Sequence, residues 1–158
     1  MEISQLKIRR VEQSDIEEMI RHRICYLVEM TGTKKTHDRI KTEVEMKLHF
    51  QGKIAEGSII ALVATHNDVP VSYGALVIKQ IPGDLDHSIY NEADILNMYT
   101  IPEARKKGIS SLILSKLIDE ARKMGISKLS LHTTKDGERI YRAAGFTEPL
   151  YTYLEMLI

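Results

Sequence analysis

The sequence predicts a mixed α/β fold on three observations: two β-rich apolar runs separated by a tight reversal, a strand, helix, strand succession in the middle, and two amphipathic helices ahead of both. The first run, LKIRRVE (6–12), alternates apolar and charged residues with the period of a half-buried strand. Ser14 and Glu17 in SDIE then have the spacing of a capping box, so a helix should start there, with Ile16, Met19, Ile20, Ile24, Leu27 and Val28 on its buried side. It should run to Glu29 and Met30, before the turn-rich and basic TGTKKTH (31–37). Ile40, Val44 and Leu48 mark one face of a second helix, with Gly52 its expected stop before a looser KIAEG (53–57).

SIIALVAT (58–65) and VSYGALVIK (71–79) are strand-like, and HNDVP (66–70) between them carries the Asn, Asp and Pro of a tight turn, which predicts an antiparallel hairpin closed by IPGD (81–84). ADILNMYT (93–100) is the next strand. It leads through IPEARKKG into a helix with Ile109, Leu112, Ile113, Leu117, Ala121 and Met124 on one side and Gly125 at its end. SKLSLHT (127–133) is expected as a strand, DGERIYRAA (136–144) as a short helix stopped by Gly145, and LYTYLEMLI (150–158) as a final strand. A strand, helix, strand unit of this length is a crossover between parallel strands, which puts a ligand at the strands' carboxyl ends.

Composition narrows the function classes. A chain of 158 residues with 43% apolar and 28% charged content has material for one core, so residues 1–158 are expected to form a single domain. Lys plus Arg equals Asp plus Glu at 22 each, which removes the basic field that drives binding to nucleic acid or an anionic membrane. No apolar segment approaches the ~20 residues that span a bilayer. One cysteine, Cys25, makes no internal disulfide, and six histidines without close pairing make no metal site. A cytoplasmic, metal-free protein is the expectation.

Any anion site must then be local, and EARKKGISSLIL (103–114) is where it would lie. A helix start exposes unpaired backbone N–H groups and the positive end of the helix dipole. Gly108 allows a phosphate to approach the backbone with no Cβ in the way. Arg105, Lys106 and Lys107 add charge, and Ser110 and Ser111 offer hydroxyls. The spacing is neither that of a P-loop nor that of a dinucleotide fingerprint. Taken alone, the stretch fits an ordinary charged helix entrance at least as well.

NMYTIPEARKKGIS, however, resembles the cofactor motif of the GCN5-related N-acetyltransferases (GNAT), R/Q-x-x-G-x-G/A after a strand and a proline, with Arg105, Gly108 and Ser110 on its marked positions. Downstream, GERIYRAAGF is similar to that family's A-x-x-L-Y-x-x-x-G-F segment, with Tyr141, Gly145 and Phe146 on its signature positions. The two ordered motifs cover residues 91–146 and are closest to those of small bacterial members. Ser110 departs from the usual Gly or Ala, and Thr134 from a frequent Asn.

The resemblance implies a mixed, mostly antiparallel central sheet with a splayed parallel strand pair and flanking helices. It also implies acetyl-CoA as cosubstrate, transferred to an amine-bearing acceptor, small molecule or peptide, by direct attack in a ternary complex. The pyrophosphate would lie on Lys106, Lys107, Gly108, Ile109, Ser110 and Ser111, and the pantetheine arm along Met98, Tyr99 and Thr100, with Thr134 a further cofactor contact. Tyr141 corresponds to the family's general acid. An oxyanion donor would come from a main-chain N–H of residues 98–100. The base is not set by the resemblance: Glu29, Glu92, Asp94 and His132 are candidates, Glu29 the preferred one because it precedes the basic loop beside the acceptor. A non-catalytic acyl-CoA-binding or sensing module with the same fold is the alternative, and a surface-interaction protein with no ligand a third. The acceptor stays open, as does a homodimer.

Overall fold

The computed structural model of the chain describes residues 2–32, 39–83, 85 and 89–158. The basic loop read at 31–37 therefore lies, from residue 33 on, outside the described residues. Among the described residues five strands form one sheet in the order β1 (Leu6–Arg10), β2 (Ile59–His66), β3 (Val69–Pro82), β4 (Ile89–Thr100) and β5 (Lys128–Ser130). All neighbours are antiparallel except the last pair, in which β4 and β5 run parallel. The helices are α1 (Ile16–Thr31), α2 (Arg39–Ala55), α3 (Ile109–Lys123) and α4 (Lys135–Ala143).

The β2–β3 hairpin turns on Asn67 and Asp68, with φ of 50° and 61°. Two consecutive left-handed residues define the turn whose twist matches paired strands, and Asn and Asp are the residues that tolerate it. Each face of the sheet carries its own core. Ile59, Ala61, Val63, Tyr73 and Ala75 pack with Val11, Ile16, Met19 and Ile20 near α1 and with Phe50 of α2. On the other face Ile60, Leu62, Leu76, Ala93 and Ile95 meet Ile109, Ile113, Leu114, Leu117 and Ala121 of α3.

Several local expectations are revised. The Ser14 and Glu17 box does not form; Asp15 takes the start of α1, accepting the Glu12 N–H (2.7 Å) and a bidentate pair from Arg9 (2.5 and 2.8 Å). The Arg9 hydrogen bond holds the Asp15 carboxyl below the usual carboxylate range. Helix α2 runs through Gly52 to Ala55, because one glycine inside a helix costs only about 1 kcal/mol against the packing of Phe50 and Ile54. Its Ile40, Val44 and Leu48 stripe is exposed, and the side that packs on the sheet carries Met46, Phe50 and Ile54 instead. The predicted final strand is absent: residues 150–158 join no sheet, and Leu150, Tyr151, Leu154, Met156, Leu157 and Ile158 are exposed. Strand β5 ladders only at Lys128, Leu129 and Ser130 before the chain leaves for α4, so it has almost no edge for another strand to join.

Gly74 of β3 fixes how α3 lies on the sheet. A Cβ there would fall 2.6 Å from Ile113 Cγ2, 2.6 Å from Met98 Sδ and 2.9 Å from Leu117 Cδ1. All three cannot withdraw together, since Ile113 is β-branched and held at χ1 by its own helix. Gly74→Ala should therefore lower unfolding free energy by about 1–3 kcal/mol in denaturant titration. Gly52→Ala, in open space within α2, should raise it by up to about 1 kcal/mol.

Candidate active site

Strand β4 is irregular where the site forms. Ala75 pairs with Leu96 and Tyr73 with Tyr99, so Asn97 and Met98 together oppose Gly74. This is a bulge, and Asn97 carries it with φ of 60°. The extra residue sends side chains to both sides in a fixed order. Leu96 packs with the α1–α2 core and Asn97 reaches Arg23 of α1, while Met98 packs toward α3. Tyr99 then returns toward α1, donating to Glu29 Oε1 at 3.0 Å. Thr100 bonds Ser110 of α3.

Beyond Asp94 and Ser130 the parallel pair β4–β5 has no further rungs, so β4 from Ile95 to Thr100 faces an opening. The direction of its backbone follows from neighbouring bonds. Ile101 N–H donates to Val71 O (3.0 Å) and Tyr99 O accepts from Ser72 Oγ (2.9 Å), so odd positions turn toward β3. By strand alternation the N–H groups of Met98 and Thr100 point into the opening.

At its end stands the start of α3. Gly108 is left-handed at φ 78° and Lys106 at 60°, and the first helical bond runs from Leu112 N to Gly108 O (3.1 Å). The N–H groups of Ile109, Ser110 and Ser111 therefore have no acceptor within the helix. Ser110 belongs to a hydroxyl chain, Ser72 Oγ to Thr100 Oγ1 to Ser110 Oγ, each step 2.8 Å, that ties β3 and β4 to the helix start. A glycine or alanine at 110 could not close it.

Arg105 turns back from the helix start. Its Nε donates to Thr100 O at 2.9 Å, its Nη2 meets both Glu29 oxygens at 2.9 and 2.8 Å, and its guanidinium lies 5.4 Å from the Tyr99 ring centre. Lys107 Nζ donates to Glu103 O at 2.9 Å. Burial first, then the bond to Glu29, pushes the Tyr99 phenol up to about 12. The charge of Arg105 is thus neutralised from α1, and the unpaired N–H groups of residues 109–111 stand beside it.

Tyr141 stands on α4, whose cap is Thr134: its Oγ1 accepts the Gly137 N–H at 3.3 Å. After Gly145 (φ 101°) the chain turns so that Phe146 N–H donates to Tyr141 O, and the two rings meet edge to face at 5.9 Å. Burial, with a smaller effect of Tyr26 of α1, pushes the Tyr141 phenol up to about 12.

The three carboxylate candidates for the base are all engaged. Glu29 holds Arg105 and Tyr99, Glu92 pairs with Lys128 at 2.6 Å, and Asp94 with Lys79 at 2.8 Å. His132 lies beside the Tyr153 ring.

On the opposite side of the bulge α1, α2 and β4 border an open cleft of about 290 Å³ lined by Arg23, Glu45, Met46, His49, Phe50 and Leu96. These residues were missed in the sequence. The signal was there: Arg23 sits at helical spacing from Met19, Ile20 and Leu27, on the side of α1 that otherwise reads as apolar. Asn97 was legible too, since Asn inside a β run marks a left-handed residue and hence a bulge.

The fold and the site define an α/β protein with a groove between splayed parallel strands and a helix start at its mouth. The model of the acetyltransferase (GNAT) family matches residues 21–146, and the chain belongs to that family. Among solved structures, it is similar to a predicted acetyltransferase with acetyl-CoA from Clostridium acetobutylicum (25% identity, 96% of each chain, TM-score 0.85). A GCN5-related N-acetyltransferase from Ralstonia eutropha (21% identity, 96% of this chain and 98% of that, TM-score 0.80) shares the fold. So does glucosamine-6-phosphate N-acetyltransferase from Arabidopsis thaliana (18%, 97% and 99%, TM-score 0.71). No curated protein matches the sequence significantly.

Phenolate absorbance during alkaline titration, taken as wild type minus Tyr141→Phe, should place Tyr141 ionisation at about 12. A midpoint near the ordinary value of about 10 would contradict the burial described for it.

Proposed function

We propose that this chain transfers an acetyl group from acetyl-CoA to a primary amine by direct attack in a ternary complex. The observation that carries this reading is the opening of β4 away from β5, with two β4 N–H groups directed into it and the start of α3 at its end. An amide-rich pantetheine arm fits such an opening as a substitute strand, and a pyrophosphate fits the three free N–H groups of residues 109–111. Acetyl-CoA supplies, when bound, an activated thioester carbonyl.

The chain's own residues supply the rest. Gly108 lets the backbone approach the phosphates, and Ser111 adds a hydroxyl donor; the Ser110 hydrogen is already given to Thr100 Oγ1 in the chain that ends on Tyr99 O. Met98 N–H offers a fixed hydrogen-bond donor where the carbonyl oxygen gains charge, and a donor held in place before reaction costs no reorganisation. Tyr141, kept protonated through neutral pH, hands a proton to the departing sulfur. Glu29, bound to both Arg105 and Tyr99, serves as a positioning residue that anchors α1 to the cofactor loop. With that carboxylate engaged, the amine loses its proton through solvent. Thr134 holds α4, and through it Tyr141, in place; its hydroxyl hydrogen remains a donor for the cofactor.

Gly108→Asp should abolish acetyl-CoA binding in calorimetry while the circular dichroism spectrum is unchanged, because it sets a carboxylate against the phosphates at a left-handed position. Tyr141→Phe should keep acetyl-CoA affinity and lower kcat by roughly 10²–10⁴-fold in a thiol-release assay over an amine panel. Binding without turnover of any amine by the wild type would favour the acyl-CoA-sensing module instead.

A further inference from the structure

Arg23 is a half-buried charge without a counterion among the described residues. It sits on the inner side of α1, and burial pulls its guanidinium below the usual arginine range. Among the described residues it has a single hydrogen bond, from Nη1 to the Asn97 side-chain oxygen at 2.6 Å, and no carboxylate partner. Nε is buried with no acceptor, as is Asn97 Nδ2. The Phe50 ring centre lies 5.8 Å from the guanidinium carbon. A guanidinium has five donors, and removing it from water with one neutral partner is costly. Burial of this kind is commonly compensated by an anion.

The surroundings specify that anion. Arg23 lines the 290 Å³ cleft together with Met46, Phe50 and Leu96, while Glu45 and His49 are exposed at its edge. Glu45 already faces Lys41. The deep part of the cleft is therefore apolar with one fixed positive charge. Its volume falls just below that of drug-sized ligand sites, which run from about 300 Å³ upward, as suits a smaller molecule. The bulge lies between this cleft and the acyl groove: Asn97 orients Arg23 on one side of β4, and the next residue, Met98, directs its N–H into the opening on the other.

We propose that the cleft binds the acceptor, and that Arg23 recognises its carboxylate: the acceptor is a free α-amino acid with an apolar side chain. This rests on the acetyl-transfer reading above and narrows its acceptor. The carboxylate docks on the guanidinium as a charge-assisted, planar pair, the side chain packs on Met46, Phe50 and Leu96, and the α-amino group is left facing the bulge. The amine, its ammonium proton already lost to solvent, attacks the thioester carbonyl; a C–N bond forms, the C–S bond breaks, the sulfur takes a proton from Tyr141, and the second proton leaves the new amide nitrogen for solvent, which reprotonates Tyr141.

The test uses leucine, leucinamide, 3-methylbutylamine and leucyl-leucine as acceptors with acetyl-CoA. It adds calorimetric binding of N-acetyl-leucine and N-acetyl-leucinamide, which does not need turnover. Wild type should prefer leucine over each other acceptor, and N-acetyl-leucine over its amide, by roughly 10- to 100-fold. Arg23→Gln should erase both preferences with acetyl-CoA affinity unchanged. Arg23→Lys, which keeps the charge and loses the planar fork, should retain only part of them, and replaces Arg23→Gln if that variant does not fold. Equal use of leucine and leucinamide, a preference for leucyl-leucine, no binding of N-acetyl-leucine, or discrimination that survives at Arg23→Gln would overturn the proposal. Failure of acetyl-CoA to bind the wild type would overturn the transfer reading instead, and the N-acetyl-leucine comparison would still judge Arg23.

Discussion

One backbone irregularity organises the site: the bulge at which Asn97 and Met98 of β4 share Gly74 of β3 as their partner. A regular strand would alternate faces through this region and keep its ladder. The bulge instead puts Leu96 and Asn97 on the α1–α2 side in succession and Met98 on the α3 side. It is possible only because two positions allow it. Asn97 accepts a left-handed conformation, and Gly74 leaves the volume that Met98 and Ile113 fill. From there the strand diverges from β5, which stops pairing at Ser130.

The charges around this opening are arranged to hold it rather than to fill it. Glu29 reaches from the last turn of α1 to Arg105 and Tyr99, and Arg105 in turn grips Thr100 O at the end of β4. Both members of the ion pair are more than a third exposed, so solvent screens it and its worth lies in geometry more than in stability. The helix that walls the cleft and the loop that carries the free N–H groups are thus tied by the same two side chains. A change in either should be felt by the other, although the side chains involved lie 76 residues apart in the chain.

Much of this architecture was legible because it rests on local chemistry. Asn67 and Asp68 announce a hairpin turn, Gly125 and Gly145 end their helices with positive φ, and the apolar period of α3 reports a face that is buried except past its end, where Met124 is exposed. What stayed illegible depends on neighbours distant in sequence. The Ile40, Val44 and Leu48 stripe has perfect helical spacing, yet the side of α2 that meets the sheet is set by Phe50 and Ile54, which the spacing alone ranks no higher. The terminal residues have the composition of a strand but no edge to join. At the site, the motif residues could be named from sequence, whereas the Glu29 clamp and the Arg23 cleft follow from side chains brought together across α1, α2 and β4.

Acyl transfer at this site requires that the donor's arm complete the sheet at the opening beside β4. Residue-resolved amide hydrogen exchange, with and without saturating acetyl-CoA, measures this directly. Exchange should slow at Met98 and Thr100, whose N–H groups face the opening, and at Ile109, Ser110 and Ser111, while Leu76 in the paired interior of β3 stays as it was. Bound acetyl-CoA with unchanged exchange at Met98 and Thr100 would contradict it.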